Sequence, residues 1–210
     1  MTANLQSVFI LMSMCRVTVY AASSQALDGH YISAAHRLGQ VLARAGFEIV
    51  YGGGAHGLMG AMADAALAEG GEVHGVIPEF LTHVECGHQK LASLEVVPDM
   101  HTRKSRMLER SDAVIALPGG CGTFEELFEA MTLKRLGQFL GPIILVNTNR
   151  YYDTMMQMLR HSVQERFMNR IHLRMWRLVD EPEQVPDALG EAPKWSASRI
   201  KQAAVTGEVS

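Results

Sequence analysis

A glycine-rich turn that ends in two carboxylates is the stretch of this sequence whose residue types could carry out chemistry. Residues 118–126 read PGGCGTFEE. Where such a turn opens a helix, its backbone N–H groups form a site for an anion such as phosphate. Glu126 lies at the edge of that site, and an acid there indicates chemistry on a phosphorylated molecule rather than binding alone. A glycine turn without a ligand also stays open, since such turns join many α/β elements.

The elements on either side of the turn must hold it in place. Residues 113–117 form a short apolar run, as is typical of a buried parallel strand. Thr123 is expected to cap the following helix, and Glu126 three residues later completes a capping-box pattern. Apolar side chains at Leu127, Phe128 and Met131 then give that helix a core-facing side. The pattern predicts a strand, a glycine turn and a helix, in that order.

Two common phosphate-binding motifs do not fit this turn. No lysine follows Gly122 as a P-loop requires, and Glu125 occupies the place of the third glycine of a dinucleotide fingerprint. That fingerprint does occur at residues 52–57, but its acidic partner would be Glu72, at the start of the third strand rather than its end. NAD binding is therefore disfavoured. The glycines of residues 52–60 are instead expected to let the backbone approach a nucleotide or a neighbouring loop closely.

Three motifs in the same order resemble those of one known family. PGGCGTFEE at residues 118–126 resembles the PGGxGTxxE signature of the LOG ("Lonely Guy") family. MHTRK at residues 100–104 resembles its MHxRK motif, and GGGAHGLMG at residues 52–60 resembles its GGGxxGLMG segment. The similarity covers roughly residues 16–179. Members of the family are cytokinin riboside 5′-monophosphate phosphoribohydrolases, often mislabelled lysine decarboxylases.

The resemblance implies a fold and a reaction. The fold is a single α/β domain, Rossmann-like and doubly wound, with a mainly parallel sheet and helices on both faces. The reaction is hydrolysis of (N6-prenylated) adenosine 5′-monophosphate to free base and ribose 5-phosphate, with no metal and no cofactor. Arg103 and Glu126 are the implied catalytic residues. The residues expected to bind the substrate are Ser23, Gly53, Glu85, Arg103, Lys104, Gly119, Gly120, Cys121, Gly122, Thr123, Phe124, Glu125, Glu126 and Thr132.

A parallel sheet would bring two of these motifs to one place. Arg103 and Lys104 lie in the first turn of a helix predicted over residues 100–111, just past the fourth strand, and the glycine turn follows the fifth. In an open parallel sheet, ligands bind in the crevice beyond the carboxyl ends of the strands. Cations at a helix N-terminus oppose its dipole, which favours a functional role over a merely solvated face.

Three features of the loops leave alternatives open. Ser23 and Ser24 could hydrogen-bond a ligand or cap the next helix, and Ala22 stands where related proteins have a glycine. Residues 83–88 bring two histidines, an acid and a cysteine close together, but their spacing fits no common zinc pattern. Thr132 matches a threonine of the family, although the tryptophan and glutamine that accompany it there are missing here.

The chain as a whole is predicted to form one domain, with a loose segment at each terminus. Strands are expected at residues 16–20, 47–51, 73–77, 94–97, 113–117, 143–146 and 175–179. Helices are expected at residues 31–45, 100–111, 151–165 and 182–189. Two more helices are expected, one that follows residues 52–60 and ends at residue 69, and one that begins near residue 123. The domain is placed at residues 16–189, with a loose extension over residues 1–15 and a flexible tail over residues 190–210.

The composition of the chain disfavours nucleic acids and membranes as partners. The chain has 210 residues and a formal net charge of -3. It therefore lacks the overall positive charge that attracts nucleic acid, and no nucleic-acid partner is expected. The apolar run at residues 8–14 is far shorter than the roughly 20 residues that span a membrane, so no membrane partner is expected. Cys15, Cys86 and Cys121 form neither a disulfide framework nor a CxxC site, which fits the reducing cytoplasm.

A homodimer is expected, because two helices carry more apolar residues than one core-facing stripe needs. These residues are Phe124, Leu127, Phe128, Met131 and Leu136 on one helix and Met107 and Leu108 on the other. The resemblance implies a dimer as well. In a twofold assembly, Lys134 or Arg135 is expected to reach the pocket of the partner.

Functions of other classes are weighed against hydrolysis. Lysine decarboxylation is disfavoured, because it needs pyridoxal phosphate on a Schiff-base lysine, whereas Lys104 lies in a motif better explained by phosphate binding. A general AMP or purine nucleotide nucleosidase stays open, and so does a non-catalytic nucleotide sensor or carrier on the same scaffold.

Overall fold

A seven-stranded parallel sheet lies at the centre of the structure, a computed structural model that describes residues 16–109 and 111–202. The strands are β1 (Arg16–Tyr20), β2 (Glu48–Tyr51), β3 (Val73–Pro78), β4 (Ser93–Val97), β5 (Ala113–Ala116), β6 (Ile143–Val146) and β7 (Arg177–Val179). The helices are α1 (Gly29–Arg44), α2 (Gly57–Ala68), α3 (Met100–Leu108), α4 (Cys121–Arg135), α5 (Asp153–Gln164) and α6 (Val185–Gly190). The predicted extension over residues 1–15 lies outside the described residues.

The strand order fixes where a ligand can bind. The order is β4-β3-β2-β1-β5-β6-β7, and every neighbouring pair is parallel. The chain thus winds outward from β1 in one direction and from β5 in the other. In such a sheet the crevice opens at the carboxyl ends of the two strands where the order reverses, which are β1 and β5.

Alternation along the strands divides the core into two layers. On β1, Val17 and Val19 face helices α1, α2 and α6, whereas Tyr20 faces helices α3, α4 and α5. Each layer is an apolar cluster whose members are almost fully buried. Helices therefore cover both faces of the sheet, and the predicted doubly wound α/β fold is confirmed.

The helix after the glycine turn begins earlier than predicted. Its N-terminal cap is Gly120, with φ -90° and ψ -153° and no side-chain capping bond, so α4 starts at Cys121. The predicted capping box of Thr123 and Glu126 is wrong, because the extended backbone at Gly120 leaves Thr123 already inside the first turn. The N–H groups of the first turn are therefore left to other partners, among them a ligand.

Other boundaries differ by a few residues. Asp28 accepts a bond from the His30 N–H and caps α1, so this helix starts two residues before the prediction. Helix α3 ends at Leu108 rather than at residue 111, and β7 begins at Arg177 rather than at residue 175. None of the helices within the described ranges is long and apolar enough to cross a membrane.

The described part of the predicted tail contacts the domain. Trp195 is buried, and its indole N–H donates to the Lys134 carbonyl at 2.8 Å. A 3-10 helix follows at Ala197–Gln202. A polar, aperiodic stretch with one large aromatic side chain can still dock, because that ring buries apolar area against α4. Residues 203–210 lie outside the described residues.

Candidate active site

A cavity of about 240 Å³ opens at the carboxyl ends of β1 and β5. Four loops and the starts of three helices surround it: the turns after β1, β2 and β5, the loop before β4, and the N-terminal parts of α2, α3 and α4. The cavity is lined by Val19, Ala21, Ala22, Ser23, Ser24, Gly52, Met59, Glu85, Met100, Arg103, Gly120, Gly122, Thr123 and Glu126. It thus lies at the reversal of strand order, where the fold predicts a ligand.

The two serines after β1 belong to the cavity rather than to a helix cap. Because Asp28 caps α1, Ser23 and Ser24 do not take that role. Both are exposed and both line the cavity. Their hydroxyl groups are therefore available to a ligand, which favours the first of the two interpretations of these residues.

The dinucleotide-like fingerprint serves backbone packing. The N–H groups of Leu58 and Met59, at the start of α2, donate to the Ala22 carbonyl at 2.9 and 3.3 Å. Gly57 has a φ of +61°, and a Cβ there would lie 2.4 Å from the Ser24 carbonyl oxygen. The neighbouring loop, and not a pyrophosphate, thus occupies this helix N-terminus, which explains why the fingerprint does not indicate NAD.

Arg103 is buried at the bottom of the cavity. Its Nη2 atom donates to the Gly52 carbonyl at 3.1 Å and lies 3.7 Å from Oε2 of Glu85. A Cβ at Gly52 would lie 2.0 Å from that Nη2 atom, so only glycine leaves room for the guanidinium. The Nε atom of Arg103 is buried and has no hydrogen-bond partner among the described residues. This N–H group is therefore available to donate a hydrogen bond to a ligand.

Glu126 lies in the first half of α4 and is only 7% exposed. Burial raises the pKa of its carboxyl to about 7, against the opposing charge of Arg103. The carboxylates of Glu125 and Glu85 add to the rise, and Lys104 opposes it more weakly. A carboxyl with a pKa near neutrality can accept and return a proton at physiological pH, as a general base must.

Seven of the predicted substrate-binding residues line this cavity: Ser23, Glu85, Arg103, Gly120, Gly122, Thr123 and Glu126. The structure brings them together from four separate segments of the chain. Both predicted catalytic residues are among them, and their charges are close enough to shift a pKa.

Lys104 and Glu125 lie outside the cavity lining and contact each other instead. The Lys104 amine also lies 3.2 Å from a carboxylate oxygen of Glu129, so it bridges α3 and α4. Since no lysine lines the described cavity, the site offers no Schiff-base residue for pyridoxal phosphate.

Five other predicted residues also lie outside the lining. Gly53 is buried next to Ile77 and Leu94, with a φ of +78°, and its neighbour Gly52 lines the cavity instead. Cys121 is exposed, and Phe124 stacks on Tyr151 with ring centroids 6.2 Å apart. Gly119 accepts a hydrogen bond from the Tyr151 hydroxyl. Thr132 lies farther along α4, in a second groove.

Several lining residues were missed by the sequence reasoning. They are Val19, Ala21, Ala22, Gly52, Met59 and Met100. Gly52, Met59 and Met100 belong to the quoted motifs, so their membership of these motifs could have identified them as lining residues. Val19 reaches the cavity from the end of a strand, and no sequence pattern distinguishes it from an ordinary core residue.

The loop at residues 83–88 does not gather its potential metal ligands. Glu85 faces Arg103, whereas Nε2 of His88 lies 3.1 Å from a carboxylate oxygen of Asp64. Within the described ranges, the one group of three potential ligands with suitable spacing is Glu48, Glu72 and His74. That group lies at the amino ends of β2 and β3, on the opposite edge of the sheet from the cavity.

Fold and cavity together define a class: a doubly wound α/β protein in which a glycine turn at a helix N-terminus shares one cavity with a buried arginine and a buried glutamate. A family model described as "Possible lysine decarboxylase" matches residues 59–189. The chain is 44% identical over 153 residues to the cytokinin riboside 5′-monophosphate phosphoribohydrolase of Rhodococcoides fascians, covering 72% of this chain and 77% of that protein. It is 40% identical over 154 residues to an enzyme of the same name from Arabidopsis thaliana, covering 73% of this chain and 72% of that one.

The chain belongs to the LOG family of cytokinin riboside 5′-monophosphate phosphoribohydrolases, as its three motifs predict. Solved structures agree on the fold. The molybdenum cofactor binding protein of Rippkaea orientalis superposes with a TM-score of 0.64 at 22% identity, covering 84% of this chain and 95% of that one. A Moco carrier protein of Chlamydomonas reinhardtii gives a TM-score of 0.64 at 18% identity, covering 85% of this chain and 97% of that one.

Proposed function

We propose that this protein hydrolyses the N-glycosidic bond of N6-prenylated adenosine 5′-monophosphate, releasing the free base and ribose 5-phosphate. One observation carries the proposal: a buried Arg103–Glu126 pair lies in the same cavity as the glycine turn. The names of the curated relatives support it. The turn explains why the substrate is a monophosphate, and the pair supplies the groups that hydrolysis needs.

The 5′-phosphate would bind at the start of α4. The first described backbone bond of this helix runs from the Phe124 N–H to the Gly120 carbonyl. The N–H groups of Gly120, Cys121, Gly122 and Thr123 therefore precede the regular hydrogen-bond pattern of the helix. Together with the helix dipole they attract a phosphate dianion.

Hydrolysis requires groups near C1′ of the ribose that stabilise positive charge and activate water. The bond from C1′ to the base nitrogen breaks while water adds to C1′, and the transition state resembles an oxocarbenium ion. The Glu126 carboxylate would stabilise that cation and take a proton from the water. It then returns this proton, which ends on a ring nitrogen of the departing base, so that Glu126 is ionised again. The Arg103 guanidinium, fixed on the Gly52 carbonyl, would hold the substrate or the leaving group through its free Nε–H.

Substrates with and without the phosphate test this function. We expect isopentenyladenosine 5′-monophosphate to be hydrolysed about 100-fold faster, in kcat/KM, than isopentenyladenosine, because only the monophosphate can bind at the start of α4. Base release is measured by chromatography, with AMP and adenosine as the unprenylated pair. Equal rates on nucleoside and nucleotide would contradict the phosphate site. A faster reaction with AMP than with the prenylated nucleotide would instead identify a general AMP nucleosidase.

The same assay distinguishes an enzyme from a carrier. A non-catalytic sensor would bind the monophosphates without releasing base. The position of Glu126 argues against such a role, since a buried acid next to an anion site weakens binding of the phosphate. Its presence there is explained by a step that follows binding.

We propose further that the protein forms a homodimer through α4 and α5. A second groove, of about 220 Å³, runs between these helices. It is lined by Phe128, Met131, Thr132, Arg135, Leu159, Ser162, Phe167, Met168, Met175 and Trp176. Phe167 is 82% exposed, although a phenyl ring gains from leaving water. An apolar groove of this kind supports a partner surface.

The structure corrects two parts of the expected interface. Leu127, Met131 and Met107 are buried in the core of one chain, so they add little to a patch between chains. Lys134 is also buried: its amine donates to the Gly141 carbonyl and lies 5.9 Å from the centre of the Trp195 ring. Burial lowers the pKa of Lys134 to about 8. Lys134 therefore does not reach a partner's cavity, whereas Arg135 lines the second groove.

Sedimentation tests the dimer. At micromolar concentration we expect a single species at twice the 23.1 kDa chain mass. Phe167→Glu should shift that species toward the monomer, because it places a charge in an apolar contact. Phe80→Glu is the matched control, since Phe80 is 57% exposed but lies outside the groove lining. A wild-type species at the mass of one chain would rule the dimer out.

A further inference from the structure

Two consecutive tyrosines beyond β6 hold the glycine turn from outside the cavity lining. The Tyr152 hydroxyl donates to the Leu117 carbonyl at 2.7 Å. The Tyr151 hydroxyl donates to the Gly119 carbonyl. The two acceptors flank Pro118, which itself has no N–H group. Neither tyrosine lines the cavity.

The backbone that presents these tyrosines is strained. Asn149 and Arg150, directly before Tyr151, have φ values of +53° and +59°, a region that residues other than glycine seldom adopt. The Asn147 side chain holds this connection in place: it accepts from the Tyr152 N–H at 2.8 Å and donates to Asp153 at 2.9 Å. Strain of this kind persists where the surroundings enforce it, often near functional sites.

Both phenols are kept as hydrogen-bond donors. Tyr152 is fully buried, and burial raises its pKa above the ordinary value for tyrosine. Burial also raises the pKa of Tyr151, whose ring is fixed by stacking on Phe124 and by an edge contact with Tyr31 at 6.1 Å. Phe124, predicted to bind substrate, instead supports the tyrosine that contacts the turn.

The Tyr151 bond sets the direction of an N–H group at the phosphate site. The Gly119 carbonyl and the Gly120 N–H belong to one planar trans peptide, so the two point in opposite directions. With the carbonyl held toward Tyr151, the Gly120 N–H points away from Tyr151, and Gly120 itself lines the cavity. A Gly–Gly peptide is otherwise free to flip, because neither residue has a side chain to restrict it.

We propose that Tyr151 is a positioning residue for the phosphate site: it holds the Gly119–Gly120 peptide with the N–H toward the 5′-phosphate. Tyr152 anchors the connection itself, since the Leu117–Pro118 peptide has no N–H to direct. The inference rests on the proposed function in one respect, namely that the glycine turn binds a phosphate.

Removing one hydroxyl at a time tests the proposal. Tyr151→Phe keeps the ring stack and should weaken binding of ribose 5-phosphate, measured by calorimetry, about fivefold or more. It should raise KM for AMP or its prenylated analogue by a similar factor, with kcat changed less than twofold. Tyr152→Phe leaves a buried carbonyl without its donor, so it should lower the unfolding temperature more than Tyr151→Phe does, with a smaller effect on ribose 5-phosphate affinity.

Two readouts separate positioning from mere structure. Tyr31→Phe removes a hydroxyl from the same aromatic cluster but not from the turn, and should leave ribose 5-phosphate affinity within twofold of wild type. In amide NMR spectra, the Gly120 signal should shift when ribose 5-phosphate is titrated into the wild type, and shift less in Tyr151→Phe. A folded Tyr151→Phe protein with wild-type affinity for ribose 5-phosphate and a wild-type Gly120 response would overturn the proposal.

Failure of the proposed function has a different outcome. A wild-type protein that binds ribose 5-phosphate but releases no base would refute hydrolysis, whereas the Tyr151 comparison would still decide the positioning role by binding alone. A wild-type protein that does not bind ribose 5-phosphate would refute both the phosphate site and the role of Tyr151.

Discussion

Replacing Glu126 with glutamine is expected to lower kcat by about 100-fold or more, the loss typical of a positioned acid–base group. The amide keeps the size of the side chain but carries no negative charge and accepts no proton. It can therefore neither stabilise an oxocarbenium ion nor take a proton from water. Binding of the monophosphate should persist, because the glycine turn is unchanged and a buried negative charge near the phosphate is removed.

Glu125→Gln is the matched control for this prediction. Glu125 is the adjacent acid, but it is exposed and paired with Lys104 outside the cavity. Its loss should change kcat only slightly. Single-turnover base release with saturating nucleotide measures the chemical step directly. Wild-type turnover in Glu126→Gln would remove Glu126 from the mechanism.

The raised pKa of Glu126 should make the stability of the folded protein depend on pH in a predictable direction. Burial favours the neutral carboxyl in the folded protein, so its pKa rises from 4.5 to about 7. The stability that this group contributes is present below its unfolded pKa and is lost as the pH rises through about 7. Glu126→Gln should therefore be more stable than wild type at pH 8, and this gain should shrink toward pH 5. Such a trade between stability and activity is common at active sites.

Neighbouring residues in the motifs divide between site and scaffold for geometric reasons. Arg103 and Lys104 are successive helix residues, about 100° apart around the axis, so when one faces the cavity the other faces α4. Thr123 and Glu126 share a helix face three residues apart, whereas Phe124 points elsewhere. A motif therefore predicts where a site lies, but the helical period decides which of its residues contact the ligand.

Distance along the helix explains why Thr132 does not line the cavity. Thr132 lies nine residues beyond Thr123, which corresponds to about 13 Å along the axis of α4, too far for the same cavity. Sequence patterns also cannot tell which residue of a glycine pair takes the extended backbone that starts a helix. The structure assigns that role to Gly120, and this removes the predicted capping box. The apolar runs of the strands, in contrast, were recognisable from the sequence, and the family resemblance implied the doubly wound fold.

Replacing Arg103 is expected to have an effect comparable to that of Glu126, with a different pH signature. Arg103→Gln removes the buried positive charge that contacts the Gly52 carbonyl and the Glu85 carboxylate. We expect kcat/KM to fall by about 100-fold, as when one electrostatic donor is lost from an active site. Because Arg103 lowers the pKa of Glu126, its removal lets that pKa rise above about 7. The acid limb of the kcat/KM profile should therefore move to higher pH.

Two comparison variants make this result interpretable. Arg103→Lys keeps the positive charge but loses the planar group that reaches the Gly52 carbonyl, so it should restore the position of the acid limb better than it restores the rate. Arg106→Gln lies on the same helix, exposed and paired with Glu109 and Glu95, and should leave the profile unchanged. Measuring kcat/KM from pH 5 to 9 for all three decides the matter. If the acid limb of Arg103→Gln coincides with that of the wild type, the carboxyl that controls the rate is not Glu126, because the charge of Arg103 acts directly on its pKa.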